Sequence, residues 1–271
     1  MKGTKISNGV KIAIGGKGGV GKTTVCAVWA QLFAEEGFDV LAIDADPNTN
    51  LALAFGISSE QNPEPLIKMK QLIAERTGTE KGAVGAYFKL NPKVSDLPEK
   101  YWVEASGVKL LVLGGITQAG AGCACPEGAF LKALLNHTIL GRQEIVLVDL
   151  PAGVEFMGRA SIQGIDALVV VAEPGGRSIE TAKTIARMGS ELGIKHVAAI
   201  ANKITDMFQV ETIKSQLTIP ILANIDYNPA VQEADFRNKA VFGASDKLVN
   251  RLREAKDRLI SLTRATARPS P

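Results

Sequence analysis

Short apolar runs that alternate with helical segments constrain the fold of this chain more than any other feature. Runs that are apolar on both sides are typical of strands buried in a parallel sheet, and the segments between them carry apolar residues at helical spacing. The alternation therefore predicts an α/β fold, doubly wound, with a mostly parallel sheet and helices on both faces. The predicted strands are 11–14, 40–43, 110–113, 145–148, 168–172, 197–200 and 219–222, and the predicted helices are 23–36, 128–137, 178–192, 211–216 and 247–262.

Residues 58–107 interrupt this rhythm with four prolines, several glycines and one amphipathic piece at 66–75. The stretch holds too few apolar residues for a core of its own, whereas the whole chain of 271 residues, 46% of them apolar, is long enough to bury a sizeable core. We therefore predict a single domain over 1–271, with an insertion at about 58–107 that covers the sheet edge.

Charge and cysteine content argue against several classes of function. The net charge is +3, from 31 Lys and Arg against 28 Asp and Glu, which is too small to attract nucleic acid or a membrane over the whole surface. No run of about 18 consecutive apolar residues occurs. The 3 cysteines cannot all pair, which favours a reducing compartment over a secreted disulfide framework. We expect a cytoplasmic protein with no nucleic-acid and no membrane partner.

A glycine-rich loop joins the first predicted strand to the first predicted helix. Residues 16–23 satisfy G-x-x-x-x-G-K-S/T, in which backbone amides surround phosphate oxygens and the helix dipole favours the anion. In such a P-loop Lys22 bridges the β- and γ-phosphates, and the Thr23 hydroxyl binds Mg²⁺. The predicted nucleotide-binding residues of the loop are Gly18, Gly19, Val20, Gly21, Lys22, Thr23 and Thr24.

A second interpretation uses the same glycines. Gly16, Gly18 and Gly21 also satisfy G-x-G-x-x-G, and Asp44 lies close to where a dinucleotide-binding fold has its ribose-binding acid. A dinucleotide-binding loop does not require Lys22 and Thr23 after the last glycine. It also does not require a later strand that ends in an acid, as 145–149 does. The pattern favours a nucleoside triphosphate over a dinucleotide, and the loop alone permits ATP or GTP.

Lys17 extends the loop to K-G-G-x-G-K-S/T. This pattern resembles the deviant Walker A signature of a superclass of P-loop NTPases (SIMIBI, MinD-like) that includes MinD, ParA, the nitrogenase iron protein and nickel-insertion ATPases. The resemblance implies that ATP is the nucleotide and that the working unit is a homodimer, in which Lys17 reaches across the interface to the partner's nucleotide. The alternative is a solvated loop lysine.

Three further loops, at 44–48, 149–153 and 202–203, resemble segments of this superclass. The resemblance implies that Asp46 orients the attacking water and that Asp149 holds Mg²⁺ through water. It also implies that the Gly153 amide senses the γ-phosphate and that Asn202 contacts adenine. The predicted catalytic residues are Lys17, Lys22 and Asp46, and Asn224 and Asp226 are further candidates at the base. The alternatives are strand-ending helix caps for Asp44 and Asp149, and turn residues for Asn224 and Asp226.

Two cysteines, Cys123 and Cys125, lie one residue apart in a glycine-rich loop before Pro126, which suits the first turn of a helix. Thiols at a helix N-terminus ionise more readily, and thiolate is the form that binds metal. In the implied homodimer two such pairs on the two-fold axis supply four sulfurs, a complete set for Ni²⁺, Zn²⁺ or an iron–sulfur cluster. Buried apolar cysteines or a strained local disulfide are the alternatives.

Four segments together resemble the CooC-type family of carbon monoxide dehydrogenase maturation ATPases, namely 17–24, 44–48, 123–127 and 152–159. A close relative of that family serves acetyl-CoA synthase. The resemblance implies an ATP-hydrolysing dimer that binds Ni²⁺ or Zn²⁺ at the paired cysteines and helps to load nickel into a client, either carbon monoxide dehydrogenase or acetyl-CoA synthase. The chain departs from the family in Leu-Pro at 150–151, where many members have a second acid, and in Phe156, where a histidine is often found.

Two other functions within the superclass stay open as alternatives. MinD- and ParA-like organisers use a membrane-binding C-terminal helix or a basic DNA-binding surface, whereas here the last predicted helix has a core-packing face and 264–271 is polar and proline-rich. The nitrogenase iron protein is an ATP-dependent reductase that takes two cysteines from separate loops, one of them in the segment equivalent to 149–159. That segment has no cysteine here, so the sequence favours the metallochaperone.

Overall fold

The computed structural model describes residues 9–58, 60–79, 89–90, 92–115, 126–137, 144–154, 156 and 164–265. Within this part of the chain, eight strands form one sheet. They are β1 (Val10–Gly16), β2 (Asp39–Asp44), β3 (Val103–Ala105), β4 (Val108–Val112), β5 (Glu144–Asp149), β6 (Ala167–Ala172), β7 (His196–Ile204) and β8 (Ile221–Asp226). Their order in the sheet is β3-β4-β2-β5-β1-β6-β7-β8.

The helices of the described residues lie between these strands along the chain, and the last two follow β8. They are α1 (Lys22–Glu35), α2 (Leu51–Ala54), α3 (Lys70–Thr77), α4 (Leu97–Tyr101), α5 (Pro126–His137), α6 (Gly176–Glu191), α7 (Met207–Gln216), α8 (Pro229–Phe236) and α9 (Asp246–Ala265), with a short 3-10 turn at Leu66–Lys68.

Helices cover both faces of the sheet because consecutive strand residues point to opposite sides. On one face Ile12 of β1 joins a buried cluster with Trp29 of α1 and Leu252 of α9, and the Trp29 Nε1–H donates to the Leu252 carbonyl over 2.9 Å. On the other face Ala13 joins a buried cluster with Phe130 of α5. All strand pairs are parallel except β3 with β4. The predicted doubly wound α/β fold is confirmed.

The strand order determines where loops from distant parts of the chain meet. β1 lies between β5 and β6, and β2 is the other neighbour of β5. Because all four strands are parallel, the loops at their carboxyl ends come together over the middle of the sheet, the place where open α/β sheets bind ligands.

Two strands end four residues later than the sequence predicts, β7 at 204 rather than 200 and β8 at 226 rather than 222. β8 begins at Ile221 and ends at Asp226, because Pro220 has no N–H to donate to the ladder and the pairing continues into polar residues. β7 continues through Asn202 and Lys203 to Ile204. The amide and acid residues expected after these strands therefore lie inside them.

Four described elements are absent from the sequence prediction, namely α2, α4, α8 and the edge strand β3. For α8 a signal was present, since Asn228 Oδ1 accepts from the Ala230 amide and Pro229 occupies the first turn. The three-residue β3 pairs antiparallel to β4 through a tight turn in which Ser106 and Gly107 both have positive φ.

Between residues 60 and 107, the described residues place Leu66, Ile73 and Leu97 in the same buried cluster as α5. This stretch therefore packs against the sheet. The division into one domain with an insertion at about 58–107 stays a prediction. None of the helices in the described ranges is both long and apolar enough to cross a bilayer.

Candidate nucleotide site

The loop between β1 and α1 depends on glycine at two positions. Gly16 has a φ of 151°, and a Cβ there would lie 2.4 Å from the carbonyl oxygen of Val171 in β6. Gly21 has a φ of 99°, and a Cβ there would lie 2.5 Å from Asn202 Nδ2. Only glycine fits both the backbone angles and the space. α1 begins at Lys22, and in this described segment no side chain caps its N-terminus, which leaves that end to an anion.

Thr23 and Asp149 form the part of the site that fits a divalent cation. The Thr23 hydroxyl donates to Asp149 Oδ2 over 2.6 Å. The Asp149 carboxylate is buried, and its Oδ1 has no hydrogen-bond partner among the residues that the structure describes. A buried acceptor without a donor is costly. Hydroxyl and carboxylate oxygens are ligands that Mg²⁺ prefers, directly or through water, so these two residues fit that ion.

Asp44 ends β2 directly beside Asp149, its register partner in β5. Asp44 Oδ1 accepts from the Asp46 amide over 3.1 Å and its Oδ2 accepts from the Leu51 amide over 2.9 Å. Burial, and to a smaller extent the charge of Asp149, raises the pKa of Asp44 to about 8. Burial raises the pKa of Asp149 to about 7, against the opposing hydrogen bond from Thr23. Asp44 therefore accepts from the amide of Leu51, the first residue of α2, as a capping residue does. It also holds the loop that carries Asp46.

The two lysines of the loop have different surroundings. Lys22 is buried, and its Nζ donates to the Lys17 carbonyl over 3.4 Å. The Lys17 side chain is 42% exposed, and its Nζ lies 3.8 Å from Glu173 Oε1.

The Gly153 amide donates to the Gly16 carbonyl over 3.1 Å. Contact of the Gly153 amide with a γ-phosphate therefore requires this hydrogen bond to break.

A cavity of about 600 Å³ opens beside the loop, a size typical of small-molecule sites. Asp46 lines it, and Asp46 Oδ1 accepts from the Asn48 amide over 2.8 Å. Asn202 lines it from β7, and its Nδ2 donates to the Val20 carbonyl over 2.8 Å. The structure thus brings Asp46 and Asn202 to the same cavity as the loop residues Gly18, Gly19, Gly21, Lys22, Thr23 and Thr24. Val20 is fully buried below the loop.

The two further candidates at the base have different positions. Asn224 lies within β8 and lines a separate cavity with Lys214 and Arg251, so its assignment to the base is wrong. The error comes from ending β8 too early, since the strand continues and directs this side chain away from the loop. Asp226 does line the nucleotide cavity, where its Oδ2 forms an ion pair with Lys247 Nζ over 2.6 Å.

Sequence reasoning missed two features of the site. One is Glu173, which directly follows β6, and the other is the set of contacts that Lys203 of β7 makes. Lys203 Nζ donates to the Gly19 carbonyl over 2.6 Å and to Glu173 Oε2 over 3.0 Å. Lys203 has a φ of 59°, which is uncommon for a residue other than glycine. The sequence carries no signal for this angle, because it accompanies a register shift in the pairing of β7 with β8.

Cys123 and Cys125 lie outside the described residues. On one side of their segment, Gly115 packs so closely that a Cβ there would lie 2.5 Å from Pro47 Cγ. On the other side, α5 begins at Pro126, two residues before the predicted helix 128–137, and this proline occupies the first turn that the sequence suggests for it. The third cysteine, Cys26, is fully buried in α1 among core residues, so its role is packing.

The fold and this site define a P-loop ATPase of the MinD/ParA type. The CobQ/CobB/MinD/ParA nucleotide binding domain matches residues 11–241 of the chain. The carbon monoxide dehydrogenase accessory protein CooC of Rhodospirillum rubrum is 44% identical over 229 residues, which cover 83% of this chain and 87% of that protein. The chain belongs to the CobQ/CobB/MinD/ParA nucleotide-binding family and, within it, to the CooC-type ATPases.

Solved structures of lower identity show the same fold. The MinC:MinD cell division protein complex of Aquifex aeolicus matches with a TM-score of 0.67 and 21% identity, covering 97% of each chain. The septum site-determining protein MinD complexed with Mg-ADP, from Pyrococcus horikoshii OT3, matches with a TM-score of 0.67 and 19% identity, covering 96% of this chain and 100% of that one.

Proposed function

We propose that this protein is a metallochaperone that hydrolyses ATP, binds nickel or zinc at Cys123 and Cys125, and assists nickel insertion into carbon monoxide dehydrogenase or acetyl-CoA synthase. The observation that carries this proposal is the 44% identity, over 83% of the chain, to a protein named as a carbon monoxide dehydrogenase accessory protein. The nucleotide site supports the ATP-dependent part of the activity.

The residues around the cavity suit the binding and hydrolysis of ATP. The amides of residues 18–24 surround the phosphates, and the buried Lys22 ammonium compensates their charge. Thr23 and Asp149 would hold Mg²⁺, which would neutralise charge on the phosphate oxygens. Asp46 orients the attacking water from its loop, and Asn202 holds the base side of the cavity. The Mg-ADP complex of a MinD protein with the same fold supports this assignment.

A homodimer is the working unit that we propose. Lys17 is nearly half exposed, as a side chain that contacts a partner's nucleotide must be. Two thiolates per chain underfill a four-ligand site, and a symmetric second copy supplies the other two. ATP that contacts both chains binds the closed dimer better than the open one, and this difference favours the closed state.

Three contacts between residues 44–47 and residues 113–115 support communication between the nucleotide and the cysteines. The amides of Leu113 and Gly114 both donate to the Asp44 carbonyl, over 2.9 Å and 3.1 Å. Gly115 packs on Pro47, the residue after Asp46. The chain then runs from Gly115 into the segment that contains the cysteine pair, so movement of the Asp46 loop acts directly on the start of that segment.

The test is metal analysis of the anaerobically purified full chain, with and without the non-hydrolysable analogue AMP-PNP and Mg²⁺. We expect about one Ni²⁺ or Zn²⁺ ion per dimer in the wild type with nucleotide. Cys123→Ser and Cys125→Ser lose that ion while ATP binding survives. Cys26→Ala is the matched control and retains the ion, since Cys26 is buried in the core of α1.

Two results contradict the proposal. Retention of stoichiometric metal in both cysteine variants excludes the cysteine pair as the site. Broad visible absorption from sulfur-to-iron charge transfer, with iron and sulfide in the sample, indicates instead a reductase that shares an iron–sulfur cluster.

A further inference from the structure

We propose that Glu173 is a positioning residue that holds Lys17 of its own chain in the monomer, and that Lys17 must leave Glu173 when the dimer closes. The proposal rests on the proposed role of Lys17 at the partner's nucleotide. Three residues carry it, Lys17, Glu173 and Lys203, here called the Glu173 cluster.

The position of Glu173 follows from the sheet. β6 lies beside β1, with Val171 as the register partner of Gly16, so the residues after both strands come together. Glu173 directly follows β6, and Lys17 directly follows β1. The Glu173 amide donates to Ser178 Oγ over 3.1 Å, which holds its backbone at the start of α6. Glu173 is thus fixed next to the P-loop.

One carboxylate in this cluster serves two ammonium groups. Glu173 Oε2 lies 3.0 Å from Lys203 Nζ, and Glu173 Oε1 lies 3.8 Å from Lys17 Nζ. Lys203 also donates to the Gly19 carbonyl over 2.6 Å from a backbone position with a φ of 59°. Such an angle costs free energy in a residue other than glycine and is kept where surrounding contacts require it. Lys203 is therefore the tightly held partner, and Lys17 is the loosely held one.

This arrangement makes Lys17 easy to release. If Lys17 leaves, Glu173 keeps Lys203 as its partner, so no carboxylate is left without a cation. The Glu173 side chain is 23% exposed, and burial without a partner would be unfavourable for its charge. A triphosphate carries more negative charge than one carboxylate that is already shared, so Lys17 exchanges Glu173 for the nucleotide of the partner subunit.

The expected size of the effect follows from the exposure of the pair. An ion pair as exposed as Lys17 and Glu173 contributes a factor of about 2 to 5 to an equilibrium. Both protomers release one Lys17 when the dimer forms. Removal of the Glu173 charge therefore lowers the concentration of half-dimerisation by a factor of about 4 to 25.

The test measures dimerisation of the full chain by analytical ultracentrifugation across protein concentrations, with AMP-PNP and Mg²⁺. Glu173→Gln is expected to dimerise at a lower concentration than the wild type. Lys203→Met is compared at saturating AMP-PNP, because Lys203 also contacts the Gly19 carbonyl of the P-loop, and it is expected to require a higher protein concentration, because Glu173 then pairs with Lys17 alone. Glu180→Gln, which removes an exposed α6 carboxylate paired with Lys183, is the matched control and dimerises as the wild type does. Damage to the fold does not produce a gain in dimerisation, so the first result separates positioning from a structural role.

The outcomes also separate this inference from the proposed function. If the wild type does not dimerise with nucleotide, both the proposed homodimer and the role of Glu173 are overturned. If the wild type dimerises, Lys17→Ala does not, and Glu173→Gln has an unchanged or raised half-dimerisation concentration, the role of Glu173 alone is overturned.

Discussion

The paired carboxylates at the ends of β2 and β5 should make the nucleotide-free protein less stable as pH rises. Asp44 and Asp149 are register partners, and both are buried. Burial raises the pKa of Asp44 to about 8 and that of Asp149 to about 7. Both values lie far above about 3.9, the pKa of an aspartate in an unfolded chain.

The sign of the effect follows from the number of bound protons. Between about pH 5 and pH 7 the folded protein retains protons on this pair that the unfolded chain has already released, so the free energy of unfolding falls as pH rises. Each retained proton contributes a slope of about 1.4 kcal/mol per pH unit. The Asp44→Asn variant cannot retain the proton of that side chain, so its slope should be shallower by about 1.4 kcal/mol per pH unit.

The assay is urea unfolding followed by circular dichroism at several pH values between about 5 and 7, in a chelator and without nucleotide. Slopes are compared rather than absolute stabilities, because an asparagine amide cannot accept from both the Asp46 and the Leu51 amides. The pKa of His196 is lowered by burial, which gives a slope of opposite sign below about pH 6.5, and this cancels between the two proteins. Asp39→Asn, at the exposed start of the same strand, is the control and keeps the wild-type slope. An equal slope in wild type and Asp44→Asn would refute the argument.

Three further predictions concern two glycines near the site, Gly21 and Gly115, and the core packing of Trp29. Gly21→Ala should weaken ATP binding at least about tenfold in a fluorescence titration, because residue 21 has a φ of 99° and a Cβ there would lie 2.5 Å from Asn202 Nδ2. Gly37→Ala is the control: it also has a positive φ but open space around it, and it should only cost about 1 kcal/mol of stability. Gly115→Ala, whose Cβ would meet Pro47 at 2.5 Å, should slow ATP turnover about tenfold in a phosphate-release assay with nucleotide affinity nearly unchanged; normal turnover would exclude this contact as a path to the Asp46 loop. Trp29→Phe should lower the free energy of unfolding by about 2–4 kcal/mol through a lost buried hydrogen bond and a void, and an unchanged urea midpoint would contradict that.

Much of the nucleotide site was predictable from the sequence because its rules are local. The P-loop needs glycine at 16 and 21, a lysine at 22 and a hydroxyl at 23, and these follow one another between a strand and a helix. Apolar runs also located most of the sheet, since a strand buried on both faces has no polar side to present.

Other parts of the site depended on long-range pairing. The P-loop pattern alone contains no information on which strands become neighbours, yet the Thr23 hydrogen bond to Asp149 requires β5 beside β1. The contact of Glu173 with Lys17 and Lys203 requires β6 between β1 and β7. Thr23 and Asp149, like Lys17 and Glu173, are more than a hundred positions apart, so they come into contact only in a sheet with this strand order.

The sequence by itself determined the fold class, the phosphate loop and the chemistry of the residues that can bind ATP. Only the tertiary structure decided that Asp44 supports the Asp46 loop, that Asn224 faces away from the nucleotide cavity, and that Glu173 joins two lysines. The physical reason is that residue type and spacing set what a segment can form, whereas burial, pKa and charge pairing depend on which segments the sheet brings side by side.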